Sequence, residues 1–74
     1  MSQVVVAPEQ LRQLQVLNKL VNAGTLGRDA AKPHKKRWWD AVRRDFGLSR
    51  HSRLKVGMRS GVVKDACTGQ PIYN

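Results

Sequence analysis

Ten lysines and arginines lie between Lys32 and Arg59 against two aspartates, and they carry nearly all of the chain's net charge of +9. Arg37, Arg43, Arg44, Arg50, Arg53 and Arg59 outnumber Lys32, Lys35, Lys36 and Lys55. A guanidinium offers a planar fork of N–H donors that pairs in two-pronged fashion with phosphate or carboxylate. The chemistry this segment offers is therefore recognition of anions. A field concentrated in one stretch acts on a partner rather than on the fold, because self-repulsion works against compaction. Nucleic acid, or the acidic surface of a protein that handles nucleic acid, would meet it. An ordinary solvated face mixes its signs; this segment holds ten cations to two anions.

Catalysis has no comparable set. His34 and His51 each sit beside basic residues and read as solvated surface. Cys67 is the only cysteine, which rules out an internal disulfide and a multi-cysteine zinc site. The five carboxylates include no close pair of the kind that separates an acid from a base. Gly57, Gly61 and Gly69 fit no phosphate-loop spacing. No enzyme, cofactor or metal is expected. The start of the chain has a short apolar run without a basic lead, so no secretory leader is read there. No stretch approaches the roughly 18 apolar residues of a membrane span. A cytoplasmic, monomeric protein follows as the expectation.

The elements that must carry these cations begin with a helix over residues 8–23. Pro8 suits a first helical position, Glu9 meets the positive end of the helix dipole, and Gly24 is a stop. Leu11, Leu14, Leu17 and Val21 make its apolar stripe, widened by Leu20, while Gln10, Gln13, Gln15 and Asn18 cover much of the rest. Residues 24–32 read as a connector of about nine residues with Leu26 as its buried anchor. A second helix is predicted over residues 33–46, opened by Pro33 and ended by Gly47. Its period places Trp38, Trp39, Val42 and Phe46 on one side and Lys36, Arg37, Asp40, Arg43 and Arg44 on the other. Asp40 and Arg44 stand at the spacing of an i,i+4 ion pair.

Adjacent helical residues diverge, so one of Trp38 and Trp39 is the central core ring and the other lies at its margin. There it either packs or stacks on a partner.

Beyond Ser49 the period changes to two. Leu54, Val56 and Met58 alternate with Lys55, Gly57 and Arg59, Ser60-Gly61 reads as a tight turn, and Val62-Val63 starts a return strand. Thr68 to Pro71 is another turn, before a short closing strand at Ile72 and Tyr73. The fold class is α+β, two helices followed by a small β-hairpin or meander in one domain, 1–74, with residues 1–7 a flexible amino terminus. A helix-turn-helix is disfavoured by the nine-residue connector and by a second helix poor in Asn, Gln and Ser. The alternation and glycines of residues 54–63 also fit strands of small SH3-like barrels, an unspecific signal.

As a whole the chain resembles the compact, basic transcription regulators of lytic Xanthomonas phages that bind the host RNA polymerase. The likeness runs the full length and includes Lys35-Lys36-Arg37-Trp38-Trp39 and the carboxyl end Gly69-Gln70-Pro71-Ile72-Tyr73-Asn74. It implies a non-enzymatic protein that docks on the amino-terminal part of the polymerase β′ subunit, near the RNA exit channel. It also implies inhibition of initiation through displacement of σ, and antitermination during elongation alongside the factor NusA. The alternative is a general nucleic-acid-binding module that contacts phosphates. No binding residues are carried over from the likeness. From charge and period alone, the residues expected to meet the partner are Lys35, Lys36, Arg37, Arg43, Arg44, Arg50, Arg53, Lys55 and Arg59.

Overall fold

In the computed structural model, which describes residues 2–73, helix α1 runs Pro8–Asn22. Its amino-terminal cap, Ala7, has no polar side chain, so Gln10 compensates by turning back to accept the Ala7 N–H at 3.0 Å. At the other end Gly24 takes φ 76°, a left-handed conformation that glycine adopts without a Cβ penalty.

The second helix, α2, spans Arg28–Phe46 and so begins five residues earlier than its proline suggests. Pro33 is inside it rather than at its start. Ala30 and Ala31 are strong helix formers, Ala31 N–H donates to the Gly27 carbonyl at 3.0 Å, and Ala31 is almost fully buried. These gains outweigh the single helical bond that Pro33 cannot donate. The connector shrinks accordingly to residues 23–27. Its length therefore no longer argues against a DNA-reading helical pair, although the composition of the second helix still does. At the carboxyl end Gly47, at φ 66°, and Leu48 both donate to the Arg43 carbonyl, Leu48 at 2.8 Å.

The two helices lie antiparallel, tied near the start of α1. Trp38 Nε1 donates to the Gln10 carbonyl at 2.7 Å, and Gln10 Nε2 donates to Asp45 Oδ2 at 3.0 Å.

Strands β1 (Leu54–Val56) and β2 (Val63–Asp65) form the antiparallel hairpin expected after the helices. The register pairs Leu54 with Asp65, Lys55 with Lys64 and Val56 with Val63. Its connection is wider than a turn at Ser60-Gly61. Gly57 N–H donates to Val62 O at 3.0 Å, and Met58 and Arg59 belong to the turn instead of the strand. Relative to a two-residue turn, the pairing is shifted by two residues, which leaves the same side chains facing the core. Gly61 is favoured by its backbone conformation and sits in a tight place. Its φ is 74°, and a Cβ there would meet Val6 Cγ2 at 3.1 Å.

Residues 1–7 are not loose where they are described. Val4 N–H donates to Ile72 O and Val63 N–H to Val4 O, both at 2.9 Å, while Val6 N–H donates to Gly61 O at 3.0 Å. Isolated bridges join Gln3 to Tyr73, Val5 to Val62 and Lys64 to Pro71, so the expected closing strand is a run of single pairings. Val4 and Val6 are buried beside Leu14, Trp38, Val42 and Val63, forming the core between the helical pair and the sheet. A run of three valines shows no alternation, so local pattern does not reveal this pairing. Pairing decides that Val4 and Val6 face in and that Val5 faces out.

Candidate docking surface

Helix α2 turns Trp38 and Val42 into the core, which leaves the opposite side to charge. On that side Lys36, Arg37, Asp40, Ala41, Arg43 and Arg44 join Gly47, Leu48 and Arg50 around an open groove of 1090 Å³. Five of the nine cations expected to meet a partner therefore come together: Lys36, Arg37, Arg43, Arg44 and Arg50. The left-handed turn at Gly47 brings Arg50 back beside the helix, a convergence that linear spacing does not show.

The other four lie outside this groove. Lys35 is half-buried, because it stands three and seven residues before Trp38 and Val42 and so shares their flank of the helix. Arg53 and Lys55 are exposed on and just before β1. Arg59 is exposed in the hairpin turn rather than on a strand.

Lys64, which was not among the nine, sits directly across from Lys55. Like charges opposite each other weaken a hairpin, so this pair is an electrostatic cost carried by the fold. The strand register alone reveals it.

Within the groove the cations differ in freedom. Arg43 Nη2 donates to the Ser52 carbonyl at 3.0 Å, and its Cζ stands 5.6 Å from the centre of the Trp39 ring. It ties the helix to the chain that follows. Trp39 meets Trp38 edge-on, ring centres 4.8 Å apart, so Arg43 and Trp38 flank the marginal indole and it packs within the protein.

Arg44 is exposed, with Nε 3.9 Å from Asp45 Oδ1; the expected pair with Asp40 is replaced by this neighbour. Lys36, Arg37 and Arg50 have no acidic partner among the described residues. Unneutralised cations around a concave surface attract anions most strongly, since little of their field is spent locally.

Three polar residues of α1 that read as solvated cover are structural ties. Beside Gln10, Gln15 Nε2 donates to the Met58 carbonyl at 2.7 Å, and Asn18 Nδ2 lies 3.4 Å from Met58 Sδ. These bonds hold the hairpin turn against α1. Nothing in the local sequence signals them.

Among the described residues no cluster of three or more His, Cys, Asp and Glu side chains is placed to hold a metal ion, and no helix is long and apolar enough to cross a membrane. Comparison with protein-family models, curated proteins and solved structures finds no match for the chain.

Proposed function

We propose that this protein is a non-catalytic regulator that binds bacterial RNA polymerase as a monomer, through the cationic groove along α2. The observation that carries the binding mode is the gathering of Lys36, Arg37, Arg44 and Arg50 around one concave surface with Asp40 as its one carboxylate, three of the four cations in no ion pair among the described residues. Polymerase as the partner rests on the full-length resemblance to phage transcription regulators. The docking region is the amino-terminal part of β′ beside the RNA exit channel, in the cytoplasm of an infected cell. Docked there, the protein hinders initiation by displacing σ, and it opposes termination during elongation alongside NusA. A module with no active site shifts polymerase between states only as far as its affinities for them differ.

The test uses purified polymerase holoenzyme, nuclease-treated, with the wild-type protein and the double variant Arg44→Glu, Arg50→Glu. Wild-type protein should co-elute with polymerase, lower promoter-dependent transcription and raise read-through at an intrinsic terminator. The double variant should bind at least about tenfold more weakly with an unchanged circular dichroism spectrum, since both side chains are exposed. Absence of a complex, or a complex indifferent to both reversals, would refute the proposal.

A further inference from the structure

Val16 and Leu20 are 51% and 39% exposed, although they belong to the helix whose Leu14 is in the core and whose Leu11 and Leu17 pack against it. They lie one turn apart on α1, and with Gln13 and Leu17 they form one wall of a second groove, open to solvent, of 490 Å³. The opposite wall comes from α2, where His34, Arg37 and Trp38 recur at helical spacing, and Leu26 of the connector contributes to the lining. Two antiparallel helices with apolar side chains along their shared trough offer the seat that a third helix takes in a bundle.

We propose that this trough binds an acidic amphipathic helix of a protein partner, with its aliphatic face against Val16, Leu17, Leu20 and Leu26. The choice of occupant follows from charge. No carboxylate lines the trough, and its ionisable side chains, His34 and Arg37, are both basic in kind. Arg37 also lines the cationic groove, so the two surfaces share an edge and a single partner can span both. A second copy is disfavoured because each carries a net charge of +9. Nucleic acid presents phosphates and flat bases, which leave an aliphatic trough unfilled. The inference deepens the regulator reading and rests on it for the partner's identity, since it makes the docking element a helix of that partner.

A synthetic 14-residue helical peptide tests it, with leucines along one face and glutamates elsewhere. Nuclear magnetic resonance should show shifts in the methyl groups of Val16, Leu17, Leu20 and Leu26 and in the Trp38 indole N–H. A control peptide with the leucines replaced by serine should bind about tenfold more weakly or not at all, as should one with lysine for glutamate. Val16→Ser with Leu20→Ser, both already exposed, should fold as wild type and lose the peptide about tenfold. Arg44→Glu with Arg50→Glu should keep it.

The proposal is overturned if the acidic peptide moves none of these signals or if the serine control binds equally. It is also overturned if an oligothymidine moves the same methyl groups, or if sedimentation shows the protein pairing with itself through this face. Peptide binding without a polymerase complex would overturn the regulator reading and support the trough. A polymerase complex unaffected by Val16→Ser, Leu20→Ser, with no peptide bound, would do the reverse.

Discussion

Arg43 and Arg44 stand next to each other on α2, and the roughly 100° between successive helical residues separates their roles. Arg43 is half-buried, holds the Ser52 carbonyl and covers the Trp39 ring, and its Nε is buried without a hydrogen-bond partner among the described residues. Arg44 faces solvent beside Asp45. Arg43→Glu removes a charged hydrogen bond and sets a carboxylate against a carbonyl oxygen, which should cost about 2 kcal/mol. Arg44→Glu should change stability by no more than about 0.5 kcal/mol, as an exposed substitution. Urea unfolding compares them directly; equal midpoints would show that the Ser52 contact contributes little. The sequence alone made these two residues equivalent members of a cationic face. It could not do otherwise, because the carbonyl that captures Arg43 lies beyond the helix end, and its position depends on the turn at Gly47.

The elements differ in how far local pattern betrays them. Helix α1 was legible almost to the residue, since proline, a leucine stripe and a terminal glycine all point the same way. Helix α2 was legible in its second half, but its first turn was hidden behind Pro33, whose usual meaning as a starter was overridden by Ala30 and the burial of Ala31. The amino-terminal segment was the least legible, because its partners are Gly61, Val63 and Ile72, more than fifty residues away.

Removing residues 2–6 should therefore unfold the protein. Two fully packed valines are worth about 1.5–3 kcal/mol each, and three backbone bonds are lost with them. A domain this small holds only a few kcal/mol in total. Loss of dispersed amide resonances in the truncated chain is the expected result; a folded spectrum would mean that the segment only decorates the sheet.

At the scale of the whole molecule, both candidate surfaces are built on the helical pair. The chain extends 39 × 23 × 22 Å with a radius of gyration of 12.4 Å, and a 19-residue helix is about 28 Å long. The cationic groove and the apolar trough both draw on α2 and meet at Arg37. A partner that uses both should show mixed salt behaviour. Contact with about five phosphates alone would weaken binding roughly 500-fold between 50 and 200 mM salt. A protein partner that fills the trough and meets the groove with scattered carboxylates releases no such condensed counterions, and its complex should lose less than about a hundredfold over that range. Fluorescence anisotropy at several salt concentrations reads the slope, and a slope as steep as that for naked nucleic acid would favour the phosphate-contacting alternative.

Two amphipathic helices, their glycine ends, the alternation at residues 54–56 and the location of the charge were all written in the sequence, because each depends on neighbours a few residues apart. Only the folded molecule decided which cations converge, and why Lys35 and Arg43 are withdrawn from solvent while Lys64 joins Lys55. It also decided that Val4 and Val6 belong to the core and that Val16 and Leu20 do not. Those outcomes depend on contacts between distant segments, and a helical or strand period carries no information about which distant segment will lie opposite.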